Sequence, residues 1–233
     1  MAGTLQLYVD LLEQHAREPG RSWFLERYGR SQAIDLQAAY AGAGRRLGML
    51  PWTPTPEERA RLDAVDLPLP EGWPLSALGR AALLARICEL LVPEEHLAAV
   101  VGQFRTGDNA EREALLHTLP LLPKPERFVE LAIEACRTHV QSVFEAIACE
   151  NPYPARFFPE ANFNQLVLKA FFTGVAVQRI VGLRERRTAE LVRMADAYAS
   201  ERRAAGRAPP PDLDFVTSPE AAAGLSGVSG AKS

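Results

Sequence analysis

Polar side chains that could bind a ligand or move a proton are concentrated between Glu150 and Arg207. Within this stretch Asn162, Gln165 and Lys169 lie at i, i+3 and i+7, so a helix would carry them along one stripe. A row of two amides and an ammonium suits a polar ligand group or an acidic partner helix. The simpler interpretation is a hydrogen-bond network between packed helices.

A second polar stripe lies on the last predicted helix, where Asp196, Ser200 and Arg203 recur at helical spacing. Asp196 is a candidate counter-ion for Lys169 or for an arginine, although a structural role explains this stripe as well. Glu185, Glu190 and Glu201 are interleaved with the arginine clusters at 184–187 and 202–207, a pattern typical of a solvated, salt-bridged face.

The sequence NPYP at 151–154 predicts a rigid turn, because each residue that precedes a proline is held extended. The residues RFF at 156–158 follow at once. A stiff aromatic and basic loop suits an aromatic or prenyl-like ligand through stacking and cation–π contact. The alternative is that these rings cover the end of the helix stack.

Apolar residues recur at helical spacing along most of the chain, and no segment shows the alternation of a strand. Turns of a few residues separate the periodic segments, and there is no repeat at a fixed period. This pattern predicts an all-α fold of about 9–11 helices, arranged as an irregular bundle or as an α–α superhelix like that of HEAT repeats.

Capping residues mark several helix ends. Thr55, with Pro56 and Glu58 after it, predicts a capping box inside the proline-rich connection 51–74. Gly206 suits the position just after the last helix. The other expected N-caps are Ser31, Ser76, Asn109 and Thr188. The residues expected to hold the connection on the core are Trp52, Leu67, Leu69 and Trp73.

These elements predict a single all-α domain over residues 1–207. The segment 208–233 is rich in proline, alanine, glycine and serine. It lacks the apolar mass to offset its ordering entropy, so we expect it to be mostly disordered. Leu213, Phe215 and Val216 are placed to pin its first part to the domain.

Composition argues against several classes of protein. The formal net charge of −3 gives no basic footprint for nucleic acid. The N-terminus lacks a basic region and places Asp10 and Glu13 among its apolar residues, unlike a signal peptide. No run approaches the roughly 18 apolar residues of a membrane span. The three cysteines have no CxxC spacing and suit a reducing compartment, which predicts the cytoplasm.

Metal, cofactor and catalytic motifs are absent from the sequence. The four histidines are far apart and form neither HxxxH nor HExxH, so no zinc site is expected. There is also no glycine-rich phosphate loop and no GxSxG. We therefore expect no metal and no cofactor.

Residues 150–207 form a motif core that resembles the EboA family. The resemblance is carried by NPY, FNQLVLKA, RIVGLRERR and ELVRMADAYASERRAAGR. The segments 119–128 and 140–148 also resemble the part of the family that precedes this core. One departure is Thr188, where the family commonly has asparagine, and either residue caps a helix.

The resemblance implies a member of a bacterial gene cluster that also encodes a UbiA-type prenyltransferase and TIM-barrel proteins. The cluster is implicated in moving secondary-metabolite precursors, some aromatic or prenylated, toward the periplasm. The implied partners are such a metabolite and the other proteins of the cluster, with peripheral contact to a membrane protein and no membrane insertion. The resemblance implies no particular reaction.

The family motif and the patterns above together give the candidate ligand-binding or partner-binding residues, which are Asn151, Tyr153, Arg156, Phe158, Asn164, Gln165, Lys169, Arg187, Asp196, Tyr198, Glu201, Arg202 and Arg207.

We expect a non-enzymatic accessory protein that binds a hydrophobic or aromatic metabolite or a pathway partner. Two alternatives stay open. One is an enzyme with Lys169, Asp196 or Glu201 as acid or base, which a buried titratable group with a shifted pKa inside a cleft would favour. The other is a scaffold, which predicts a flat apolar patch.

Overall fold

The computed structural model describes residues 2–64, 70 and 72–218, with side chains from residue 6 onward. This described part of the chain forms thirteen α-helices and contains no strand. The prediction of an all-α fold is confirmed, while the choice between a bundle and a superhelix stays a prediction. No helix in this part of the chain is long and apolar enough to cross a membrane.

The chain divides into two compact units, an N-terminal unit of residues Met1–Tyr153 and a C-terminal unit of residues Pro154–Ser233. The helices of the N-terminal unit are α1 (Ala2–His15), α2 (Gly20–Tyr28), α3 (Ala33–Leu47), α4 (Pro56–Asp63), α5 (Leu75–Leu90), α6 (His96–Thr106), α7 (Asn109–Thr118), α8 (Val129–Cys136) and α9 (Gln141–Ala148). Helix α10 (Tyr153–Phe157) begins at the last residue of this unit. The C-terminal unit continues with α11 (Glu160–Thr173), α12 (Ala189–Ala204) and α13 (Asp214–Thr217).

The extra helices beyond those predicted are the single turns α10 and α13. The NPYP turn was expected to hold Tyr153 extended, but Tyr153 starts α10 instead. Pro154 lies in the first turn of that helix, where its missing N–H would have no intrahelical partner anyway.

Helix α5 is the centre of the N-terminal unit, and it packs against α1, α2, α3 and α7. Its sequence is rich in alanine and leucine and is apolar on nearly every side, which is typical of a helix enclosed by neighbours. Gly79 allows one of these close approaches, since a Cβ there would overlap the Leu47 side chain.

Two of the predicted N-caps are confirmed. Thr55 forms a full capping box with Glu58, and Thr188 accepts a hydrogen bond from the Leu191 N–H at 3.2 Å. Asn109 is not a cap, because the carboxylate of Asp108 accepts from the Glu111 N–H at 2.8 Å and takes that role.

Ser31 and Ser76 are also not N-caps. Helix α3 starts after Gln32, which makes no side-chain capping bond. Ser76 is buried within the first turn of α5, where its hydroxyl contacts the Met49 sulfur. Neither serine therefore satisfies the free N–H groups of its helix.

In the C-terminal unit, residues 208–218 have a defined course. Three prolines are followed by α13, and Leu213 and Val216 are buried while Phe215 is half-buried. The rest of the predicted disordered segment, 219–233, lies outside the described residues, as do Leu67 and Leu69 of the proline-rich connection.

Candidate functional site

A cleft of about 700 Å³ opens on the C-terminal unit. We call it the aromatic cleft. Its walls come from the end of α11 and the turn after it (170–176 and Gln178), from Tyr198 and Arg202 of α12, and from the segment 208–212.

Three rings form one wall of the aromatic cleft. The Tyr198 ring packs edge-on against Phe172, with centroids 4.5 Å apart, and stacks on Phe171 at 6.3 Å. Phe171 and Tyr198 are buried, whereas Phe172 is 64% exposed. An exposed phenylalanine supported by two fixed rings is a ready platform for another flat apolar group.

Arg202 brings positive charge to this wall. Its Nε donates to the Ala208 carbonyl at 3.1 Å, which fixes the side chain beside the cleft. No carboxylate of the described residues lies within ion-pair distance of its guanidinium. The Asp212 carboxylate also lines the cleft, but its Oδ2 already accepts a hydrogen bond from the Val177 N–H at 2.7 Å.

Two glycines shape the cleft by ending its helices. Gly174, at φ 72°, closes α11 and donates its N–H to the Ala170 carbonyl. Gly206, at φ 69°, closes α12 in a Schellman motif, in which the Arg207 N–H bonds the Arg202 carbonyl at 2.8 Å. The prolines that follow cannot continue the helix, so the chain turns back past the cleft.

Arg187, a candidate binding residue, is engaged with the backbone. Its Nε donates to the Val216 carbonyl at 2.5 Å, and its Nη2 lies 3.5 and 3.4 Å from the carbonyls of Thr217 and Ser218. The guanidinium therefore satisfies the free carbonyls at the end of α13.

Its neighbour Arg186 was not singled out from the sequence. It donates to the carbonyls of Ala155 at 2.6 Å and Phe158 at 2.8 Å, and its guanidinium lies 4.8 Å from the Phe163 ring centroid. The prediction of a salt-bridged face is wrong for the arginines of 184–187, which bind carbonyls and rings. Nothing local in the sequence separates this role from a solvated one.

Asn151 and Tyr153 lock the N-terminal unit internally. The Asn151 amide donates to the carbonyls of Leu116 at 3.0 Å and Ala146 at 2.9 Å and accepts from the Tyr153 N–H. The Tyr153 hydroxyl donates to the Pro125 carbonyl at 2.5 Å, and burial raises the pKa of this phenol far above its usual value. Binding by either side chain would compete with these bonds.

Asn164 is buried, and its Oδ1 receives no hydrogen bond from the described residues. A buried amide oxygen without a hydrogen-bond donor costs about 1–3 kcal/mol, so this atom calls for an explanation beyond packing.

The remaining candidates are scattered. Phe158 is buried and Lys169 is half-buried. The exposed ones are Arg156, Gln165, Asp196, Glu201 and Arg207. Asp196 is exposed, and its role as a counter-ion for Lys169 or for an arginine stays a prediction. Of all the candidates, Tyr198 and Arg202 are the pair that lines the aromatic cleft.

A buried carboxylate with a shifted pKa lies in the N-terminal unit. Desolvation, with help from Asp108, raises the pKa of Glu111, while Arg80 opposes the shift from 3.8 Å. Glu111 lines a shallow groove with residues of α3 and α6.

Among the residues with described positions, no cluster of three potential ligands could hold a metal ion.

The described residues define an all-α protein with an apolar, cationic cleft on the C-terminal unit and no metal centre. Residues 6–216 match the model of the family described as metabolite traffic protein EboA. The chain belongs to the EboA family, and that description assigns the family to metabolite traffic. No curated protein and no solved structure matches the chain.

Proposed function

We propose that this EboA-family protein is a non-enzymatic cytoplasmic accessory protein of secondary-metabolite export. It holds a hydrophobic or aromatic metabolite, such as a prenylated one, in the aromatic cleft. The observation that carries the proposal is the convergence of Phe172, Tyr198 and Arg202 on one recess.

The wall of the cleft suits a ligand with a flat apolar body. Phe172 exposes most of its ring to water, so covering it removes apolar surface from water at about 25 cal/mol per Å². Arg202 suits a carboxylate, phenolate or phosphate on that body, because a guanidinium binds planar anions with paired N–H groups.

The proposed donors and acceptors of the metabolite are other proteins of the same gene cluster, the prenyltransferase and the TIM-barrel proteins. Transfer between proteins requires that the ligand enter and leave readily. The exposed Phe172 ring is consistent with such exchange, since it can be reached by a ligand without unfolding of α11.

The test is ligand capture by immobilised protein from an organic extract of host cells, read by mass spectrometry. The double variant Phe172→Ala, Arg202→Gln removes one ring and one charge from the cleft. Its matched control is Leu97→Ala, Arg203→Gln, which removes an exposed apolar side chain and an exposed arginine elsewhere. We expect wild type and control to capture the same small molecule and the cleft variant to lose it.

Equal capture by all three proteins would contradict the proposal. The enzyme alternative keeps Lys169, Asp196 and Glu201 as candidate acids or bases, and Glu111 joins them because burial raises its pKa beside a groove. It predicts that a captured molecule changes mass on incubation with wild type but not with Glu111→Gln. Capture of a protein from a cell lysate, with no small molecule captured from the extract, would favour the scaffold.

A further inference from the structure

We propose that the N-terminal unit carries a second binding site, which takes an anionic group, phosphate or carboxylate, borne on an apolar body. The site is a cleft of about 480 Å³ beside His15, which we call the His15 cleft. Its walls are the end of α1, the turn 17–20, the end of α3 at 45–48 and the segment 50–52.

The charge of the His15 cleft is positive. Arg17, Arg45 and Arg46 line it, are exposed, and have no carboxylate of the described residues within ion-pair distance. Glu18 also lines it, but its carboxylate is bound by Arg21 at 2.9 Å and by the Ser22 N–H at 3.2 Å. Three guanidinium groups around one recess, none of them ion-paired with a described carboxylate, attract an anion and bind its oxygens in pairs.

One wall of the cleft is rigid. Nε2 of His15 lies 2.6 Å from Oε1 of Glu58, which is buried. The second oxygen of Glu58 accepts from the Thr55 N–H at 2.8 Å as part of the capping box of α4. Because α1 and α4 are tied together through this carboxylate, the imidazole is held in one orientation and adds a polar edge to the recess.

The remaining lining is apolar. Trp52 packs against the His15 ring with centroids 5.2 Å apart, and Leu50 is 84% exposed. Gly20 brings α2 against the end of α3, since a Cβ there would overlap the Arg46 carbonyl oxygen. An indole and an exposed leucine beside three cations match a ligand with both an apolar and an anionic part.

A purely structural role for two of these arginines is that they offset the dipole at the C-terminus of α3. Arg27 and Arg30 hold the equivalent place around the C-terminus of α2 but do not line the cleft. They are the matched control, because their removal changes the same charge next to a helix end without changing the recess.

The experiment is a fluorescence titration of the full-length protein with inorganic diphosphate and, separately, with benzoate. Trp52 reports binding in the cleft, so the signal must disappear in Trp52→Phe. We expect Arg45→Gln, Arg46→Gln to weaken binding by about tenfold or more, since each lost charge-assisted hydrogen bond costs at least that factor. The control Arg27→Gln, Arg30→Gln should bind as wild type does.

A co-sedimentation arm with phosphatidylcholine vesicles, with and without phosphatidylglycerol, distinguishes the source of the anion. Binding to anionic vesicles alone assigns a lipid headgroup, whereas binding to the soluble anions assigns a free metabolite.

No binding in either arm, or equal affinity of the Arg45, Arg46 variant and wild type, would overturn the proposal. The Phe172→Ala, Arg202→Gln variant should give the same Trp52 signal as wild type. The test of the His15 cleft is therefore independent of the test of the aromatic cleft.

Discussion

At the scale of single residues, Arg187 ties the end of the described chain to the start of α12. Replacing it with glutamine removes the charged donors to the Val216, Thr217 and Ser218 carbonyls. We expect a loss of about 1–3 kcal/mol in the free energy of unfolding, measured with urea, because hydrogen bonds to charged groups are of this size. Limited proteolysis should then cut within 208–218 sooner than in wild type.

The control for this prediction is Arg193→Gln, which breaks only an exposed pair with Glu190. Its stability should match wild type within the error of the measurement. If both variants lost equal stability, the loss would reflect total charge and not the bonds of Arg187.

Asn164 gives a prediction of the opposite sign. Leucine has a similar volume and no polar group to desolvate, so Asn164→Leu should stabilise the protein by about 1 kcal/mol, measured as a rise in the thermal midpoint. A destabilised variant would mean that the amide has a partner in solution. A stabilised variant that no longer captures ligand would assign Asn164 a role in binding.

The sequence predicts residue roles well only where the partner is local. Thr55 and Thr188 cap helices through N–H groups three residues away, so their roles follow from spacing. The carbonyls bound by Arg186 and Arg187 lie about thirty residues away in the chain. Such pairings depend on how the helices pack, which a charge pattern does not contain.

At the scale of elements, the Schellman motif that ends α12 depends on Gly206. Alanine at this position would have to adopt φ 69°, which costs about 1 kcal/mol although no neighbour blocks its Cβ. We expect Gly206→Ala to lower the thermal midpoint. Because the motif sets the course of 208–212, ligand capture by the aromatic cleft should fall as well.

Gly102→Ala is the matched control. Gly102 lies inside α6 with open space around it, so alanine should stabilise the helix by about 0.5–1 kcal/mol. A fall in the midpoint for both variants would contradict the conformational argument.

Long helices such as α5 and α11 are predictable because apolar residues recur at helical spacing over several turns. The single turns α10 and α13 are too short to show a period. They form because Asn151 and Arg187 satisfy the backbone groups at their ends, which is a property of the folded chain.

At the scale of the whole molecule, the His15–Glu58 contact makes the stability of the protein in acid depend on the charge of Glu58. Burial disfavours ionisation of Glu58, but hydrogen bonds from His15 and Thr55 outweigh it and lower its pKa below its usual value. A lowered pKa contributes stability above the unfolded-state pKa, and that stability is lost as the pH falls through the folded-state value. Wild type should therefore exceed Glu58→Gln in stability at neutral pH, and the difference should shrink in acid.

Thermal unfolding across pH 3–7 measures this difference, a range chosen to span roughly the carboxylate titration. Glu111, whose pKa is raised, gives stability the opposite dependence on pH. Its contribution is the same in wild type and in Glu58→Gln, so it cancels from their difference. Glu57→Gln, next to Glu58 but exposed, should give a smaller and flatter difference. A constant gap between wild type and Glu58→Gln at all pH values would show that the effect is not one of charge.

The aromatic cleft itself was beyond prediction from the sequence. The family motif contains Tyr198 and Arg202, but nothing in the apolar spacing of α11 separates the exposed Phe172 from its buried neighbours. The cleft also needs the segment 208–212, which was assigned to a disordered tail. Three separate stretches meet there, and only the packing of α11 on α12 brings them together.

The most direct test of metabolite carriage is native mass spectrometry of the protein purified from its own host. We predict that wild type and the Leu97→Ala, Arg203→Gln control carry a small molecule of one mass, and that Phe172→Ala, Arg202→Gln is recovered folded without it. A bare polypeptide mass for all three proteins, or the same bound mass in the cleft variant, would contradict the account.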